Sequence, residues 1–131
     1  LFSMIDYFTP NETEASFYVN HNVETHEDAE KAAIQLLDKG IKNVVITLGE
    51  KGAFFANSEE KFSLPIANLS NPVVDTTGAG DAFNAGFAAA LTEGQNIKDA
   101  LKFASATAGL STTKIGTANS MPSREEIEKL L

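Results

Sequence analysis

The stretch Asp75-Thr76-Thr77-Gly78-Ala79-Gly80-Asp81-Ala82-Phe83 carries the most chemistry per residue in the chain. Two glycines flank an alanine where a β-branched stretch hands over to an Ala-rich run, so consecutive backbone N–H groups can converge at the positive end of a helix dipole. That geometry fits an anion. Asp81 is the odd element, because a fixed carboxylate beside a bound phosphate repels it unless the carboxylate has a proton to take. A carboxylate next to an oxyanion cradle is what phosphoryl transfer to a hydroxyl requires: the acid accepts the hydroxyl proton while the amides hold the charge of the transferred group. A tight turn with Asp81 as helix N-cap fits the same spacing.

Two other stretches could face a ligand. In Thr9-Pro10-Asn11-Glu12-Thr13-Glu14-Ala15 the proline ends strand pairing and favours a helix start, which leaves Asn11 and Glu14 as capping and first-turn residues or as ligand contacts. In Thr47-Leu48-Gly49-Glu50-Lys51-Gly52-Ala53, Thr47 and Gly49 sit at the end of a buried strand, where ligands collect in open α/β sheets; Gly49 and Gly52 otherwise read as turn glycines. His21 and His26 stand among Asn20, Asn22, Glu24 and Glu27 without zinc-like spacing, and are expected to be solvated.

The elements that must position these residues follow from periodicity and punctuation. Leu1 to Phe8 reads as a strand running into a helix after Pro10. Thr25 with Asp28 forms a box-like start for a helix whose Ala29, Ala32, Ala33, Leu36 and Leu37 share one face, and Gly40 closes it. Val44 to Leu48 lacks alternation, as expected of a central strand buried on both faces of a largely parallel sheet. Further short strands are predicted at Ala53–Ala56, Lys61–Ala67 and Val73–Asp75. The Ala82–Leu91 segment predicts a helix that packs closely through Ala85, Gly86 and Ala89. A second helix runs from Ile97 to about Thr112, with Ala100, Leu101, Ala104 and Ala108 on one face. Ser123 with Glu126 caps a last helix whose apolar side is Ile127, Leu130 and Leu131. Phe54, Phe55, Phe83, Phe87 and Phe103 fall inside these elements and read as core. Strands alternating with helices predict a layered α/β fold.

Bulk properties narrow the function. With 131 residues the chain has room for one ordinary domain and not for two full ones. A formal charge of −8 argues against nucleic acid or an anionic membrane as the main partner, although it leaves a phosphorylated small ligand open. No apolar run approaches the roughly 20 residues of a membrane span, and Leu1-Phe2-Ser3-Met4-Ile5-Asp6 lacks the basic start of a signal peptide. The absence of cysteine excludes a disulfide framework and makes a reducing, cytoplasmic compartment the default expectation. Starting without Met, inside an apolar stretch, the chain is expected to be part of a longer protein.

The Asp75–Phe83 segment closely resembles the second signature of the ribokinase-like (PfkB) family of carbohydrate kinases. The Thr9–Ala15 and Thr47–Ala53 stretches resemble two further family segments in the same order, and the similarity runs from about Ile5 to Leu131. It implies a three-layer α/β/α, ribokinase-like fold represented by its C-terminal, nucleotide-binding part, without the sugar-binding half. It also implies an ATP-dependent kinase acting on a primary hydroxyl, with D-ribose to D-ribose 5-phosphate as the leading reaction. Fructose, a nucleoside or another sugar-like alcohol is the alternative acceptor, and a nucleotide-binding module without turnover the alternative class. By the resemblance Asp81 is the general base that meets the substrate hydroxyl, and Gly78, Ala79 and Gly80 form the anion hole, with Gly80 also touching nucleotide. Asn11 contacts the nucleotide phosphates, and Glu14 organises Mg²⁺ through water. Thr47, Gly49, Glu50, Lys51 and Gly52 border ATP, with the adenine lying between this loop and the helix containing Ser105. A potassium site falls on Asp75, Thr77, Ser111, Lys114, Gly116 and Ser120, Lys114 contributing its carbonyl. The full-length protein is expected to be a homodimer.

Overall fold

The β-branched run that reads as an interior strand is β2, Asn43–Thr47, with Val44, Val45 and Ile46 wholly buried. The computed structural model describes residues 1–115 and 121–131, so Gly116 and Ser120 lie outside the described residues. The chain divides into two units, Leu1–Pro65 and Ile66–Leu131.

In the first unit β2 is flanked by β1 (Tyr7–Phe8) and β3 (Ala53–Asn57), and β4 (Lys61–Leu64) completes the order β1-β2-β3-β4. Strands β1 and β2 run parallel, Tyr7 opposite Asn43, because helices α1 (Glu12–Val19) and α2 (His26–Asp38) form the crossover between them. Short turns at 48–52 and 58–60 permit only antiparallel returns, so β2 pairs β3 with Val45 opposite Phe55, and β3 pairs β4 with Phe55 opposite Phe62. The largely parallel sheet expected from sequence is therefore mixed among the described residues. The first strand is also shorter than its apolar run: Phe2–Met4 forms a 3-10 turn, and the Phe2 ring meets the edge of Tyr18 at 5.9 Å. Strand β4 stops at Leu64 because Pro65 has no N–H to donate.

Helix α2 covers the sheet with Ala29, Ala32, Ala33 and Leu36, all fully buried, and Leu37 packs beside them. Gly40 follows its C-terminus at φ +106°, and a Cβ there would lie 2.9 Å from the Ser3 backbone, so only glycine fits.

The second unit holds α3 (Ala79–Thr92), α4 (Ile97–Ser111) and α5 (Arg124–Leu130). Val73-Val74-Asp75 is not a strand: the Val74 and Asp75 amides both donate to the Thr112 carbonyl, at 2.7 and 3.0 Å, and the segment is strapped to the end of α4. Helices α3 and α4 pack through Ala82, Gly86 and Ala90, whereas Ala85 and Ala89 are exposed, so the contact stripe is rotated by one residue from the expected face. A Cβ on Gly86 would lie 2.6 Å from Thr107 Oγ1 and 3.2 Å from the Ala104 Cα. On α4, Ala100, Leu101 and Ala104 are buried and Ala108 half-buried. Ile127 anchors α5, while Leu131, expected on the apolar side, is 63% exposed past the helix end. Arg124 ties α5 in place through an ion pair to Glu93 and by lying 5.4 Å from the Phe103 ring centre, and its pair with Glu128 lies within the helix. The five phenylalanines read as core are all buried. Among the described residues no helix is long and apolar enough to cross a membrane.

Candidate active site

In the first unit the C-terminal ends of the parallel strands β1 and β2 gather Asn11, Glu14, Thr47 and the Gly49–Gly52 turn. Asn11 and Thr47 form a parallel bridge, and the Thr47 N–H donates to the Pro10 carbonyl at 3.0 Å. The Asn11 Oδ1 accepts from the Glu14 N–H at 2.8 Å, and Glu14 Oε2 accepts from the Asn11 N–H at 3.0 Å, a complete capping box. The capping role is thus real for both residues. It occupies one Glu14 carboxylate oxygen and one face of the Asn11 amide, and both side chains remain exposed.

The turn itself is a 3-10 turn, Gly49–Lys51, entered by Gly49 at φ +56° and left by Gly52 at φ +89°. It closes on itself, Leu48 N–H to Gly52 carbonyl at 2.8 Å and Lys51 N–H to Leu48 carbonyl at 3.0 Å. Gly49 approaches the first turn of α1, where a Cβ would lie 3.8 Å from Glu12 Oε1. Glu50 is exposed, whereas the Lys51 ammonium donates to the Glu24 carbonyl at 2.7 Å. The shallow depression lined by Leu37, Lys42, Asn43 and Asn57 lies at the opposite ends of the strands, away from these residues.

In the second unit Gly78 is the N-cap of α3 in the left-handed conformation, φ +78°, so the chain turns sharply from the Asp75–Thr77 strap into the helix. Asp75 Oδ1 accepts from the Thr77 N–H at 2.9 Å and the Ala79 N–H donates to the Thr76 carbonyl at 3.2 Å. The Gly80 and Asp81 amides, next along the first turn, have no intrahelical acceptor, and a Cβ on Gly80 would meet nothing within 4 Å.

Asp81 is set apart by comparison with the other helices. Each of the five α-helices among the described residues carries an acid at its third position: Glu14, Asp28, Asp81, Asp99 and Glu126. Four of them hydrogen-bond to their N-cap residue. Gly78 caps α3 in the left-handed conformation where the other four N-caps are extended, and Asp81, which is not itself the N-cap, stands exposed without a hydrogen-bond or ion-pair partner among the described residues.

Of the residues assigned to a cation, Asp75 and Ser111 come together because the Asp75 amide bonds the Thr112 carbonyl. Ser111 is buried, its hydroxyl donating to the Ala108 carbonyl at 2.7 Å. The Lys114 ammonium pairs with Glu126 at 3.1 Å, which leaves only its carbonyl for a cation. Ser105 is half-buried on α4, roughly 9 Å along the axis from Ser111 at 1.5 Å per residue, and does not join that group.

The histidines are not simply solvated. His21 Nδ1 lies 3.0 Å from the Asn22 carbonyl and its Nε2 is buried without a partner among the described residues. His26 reaches the Lys51 carbonyl at 2.9 Å and the Ser63 hydroxyl at 3.2 Å. Neither contact has a sequence signal, since 25 and 37 residues separate the partners.

Comparison with known proteins places this geometry. The chain is 43% identical over its whole length to a ribokinase of Haemophilus influenzae, of which it spans 42%. The structure of Arabidopsis thaliana ribokinase complexed with ribose and ATP superposes on 99% of the chain with a TM-score of 0.92 and 39% identity, the match covering 42% of that protein. Escherichia coli phosphofructokinase-2 in complex with potassium matches 96% of the chain at TM-score 0.84 and 28% identity, over 40% of its own length. The chain thus spans about two-fifths of the proteins it matches, and its fold is the mixed α/β fold of ribokinases. A family model described as pfkB family carbohydrate kinase matches residues 1–124, and the chain therefore belongs to the pfkB carbohydrate kinases.

Proposed function

We propose that the protein carrying this chain is an ATP-dependent sugar kinase that phosphorylates a primary hydroxyl, with D-ribose as acceptor and D-ribose 5-phosphate as product, and that the chain is its C-terminal, nucleotide-binding portion. The observation that carries the proposal is Asp81, the one third-position helix acid left unpaired among the described residues, set beside the unpartnered Gly80 amide. In the in-line step the sugar oxygen attacks the γ-phosphorus and the bond to the β–γ bridging oxygen breaks. The hydroxyl proton goes to the Asp81 carboxylate and ADP leaves. The Gly78–Gly80 turn holds the charge that gathers on the transferred group through backbone N–H donors that need no reorganisation. Asn11 and the Gly49–Gly52 turn, at the strand ends, serve the nucleotide, with Ser105 as a contact to its base.

The donor set also suits the two cations. Glu14 keeps one carboxylate oxygen outside its capping box and would hold a hydrated Mg²⁺, which would supply charge neutralisation to the phosphates. Asp75, the Ser111 hydroxyl and the carbonyls of Thr77 and Lys114 offer the all-oxygen ligation that a hard monovalent cation takes. Ribose as acceptor is supported by the two ribokinase matches.

The test is ADP release by the intact protein with a panel of ribose, fructose and nucleosides, in potassium and in sodium. The expected result is turnover with ribose that falls when K⁺ is replaced by Na⁺. Equal rates in the two salts remove the cation assignment, and turnover with another acceptor only removes ribose. Because the chain spans about two-fifths of its relatives, the same reading predicts that these 131 residues by themselves bind ATP without turnover.

A further inference from the structure

The Gly49–Gly52 turn is bounded by two left-handed glycines, the residue type that restrains a backbone least. Its internal hydrogen bonds set its shape but not its position. The paired ends of β2 and β3, Thr47 opposite Ala53, place its base, and two bonds to the segment entering α2 brace its tip: the Lys51 ammonium to the Glu24 carbonyl at 2.7 Å, and His26 Nε2 to the Lys51 carbonyl at 2.9 Å. A carbonyl can only accept, so His26 Nε2 carries the proton. Nδ1 lies 3.2 Å from the Ser63 hydroxyl, which can donate to it in the neutral ring. Both ring nitrogens thus face protein partners. The ring's own base is rigid, because His26 is the first residue of α2, inside the Thr25–Asp28 capping box. The imidazole therefore spans three elements: the start of α2, the 3-10 turn, and β4.

We propose that His26 is a positioning residue that holds the Gly49–Gly52 turn in its nucleotide-binding geometry, acting through the Lys51 carbonyl with its ring steadied by Ser63. The proposal rests on the reading above that this turn borders the nucleotide. It assigns His26 to the nucleotide and not to the sugar or the chemical step, so its signature is a selective change in KM for ATP.

The experiment compares His26→Ala, His26→Gln and Ser63→Ala in the intact protein. His26→Ala is expected to raise KM for ATP about two- to tenfold, the value of one or two exposed hydrogen bonds, with kcat and the sugar KM unchanged. His26→Gln, whose amide nitrogen can take the place of Nε2, is expected to restore most of the ATP affinity. Ser63→Ala is expected to shift it in the same direction as His26→Ala by less. Without nucleotide, the amide protons of Leu48, Lys51 and Gly52 should exchange faster in His26→Ala than in the parent, while β2 and α2 keep their protection. An unchanged ATP KM in His26→Ala, a sugar KM that rises in step, or no rescue by Gln in a protein of parental Tm overturns the proposal while the kinase reading stands. A parent protein that neither binds nor turns over ATP overturns both together.

Discussion

Asp81 and the acids of the other helix starts have the same type and spacing, yet they do different things. Asp28 and Glu126 are held by the N–H groups and hydroxyls of their caps, so removing them unpins a helix end. Asp81 holds nothing, so its removal is expected to cost function without stability. Asp81→Asn in the intact protein should lower kcat about a hundred- to ten-thousandfold, the usual worth of a general base. ATP affinity and Tm should stay at their parental values, as isothermal titration and calorimetry can check. Near-normal turnover would remove Asp81 from the mechanism. The contrast also shows why the residue type was legible from the sequence and its availability was not. The left-handed cap at Gly78 differs from the extended caps of the other helices, and that is known only when Gly78, rather than Asp81, is seen at the cap position.

At the scale of elements, the site depends on the packing of α3 on α4, because α3 presents the Gly78–Asp81 turn at its N-terminus and α4 anchors the strap before it through the Thr112 carbonyl. Gly86 sets how closely the two helices approach. Gly86→Ala would place a methyl 2.6 Å from Thr107 Oγ1, whose hydroxyl is itself committed to the Phe103 carbonyl at 2.8 Å, and 3.2 Å from backbone at Ala104. Helix propensity favours alanine by up to about 1 kcal/mol, but overpacking of about 1–3 kcal/mol outweighs it. The expected outcome is a net fall in denaturant midpoint. In the first unit the capping boxes fix the helix starts instead, and Thr25→Ala should cost about 1 kcal/mol by freeing the start of α2. Chemical denaturation measures both, and a Gly86→Ala protein as stable as its parent would show that α3 and α4 are not in close contact there.

Across the molecule, the acidic surplus makes stability depend on pH in a defined direction. Asp28 is held below its ordinary value of 3.8, first by the Glu24 N–H and then by the Thr25 hydroxyl. Glu126 is held below 4.5 by the Ser123 N–H and the Lys114 ammonium, and Glu93 likewise by the Arg124 guanidinium. Groups whose folded pKa is depressed contribute stability that is complete above their unfolded values and is lost as pH falls through the folded ones. Tm should therefore be flat near neutrality and begin to drop below about pH 4.5, and Asp28→Asn should show a shallower drop, which a calorimetric pH series can read. Lys42, raised by its bond to Asp6, works oppositely and loses its contribution only in strong alkali. What the sequence determined by itself was local: the capping boxes at Asn11, Thr25 and Ser123, the Gly40 stop, the span of α4, the burial of Val44–Ile46 and the order of the three motifs. These depend on residues three or four apart, or on one run of side chains. The tertiary structure decided what distant partners control: the mixed sheet, the Val73–Asp75 strap, the Gly86 stripe, and the reach of His26 to Lys51. Each is fixed by a hydrogen bond or a packed face whose other half lies tens of residues away, where no local pattern can record it.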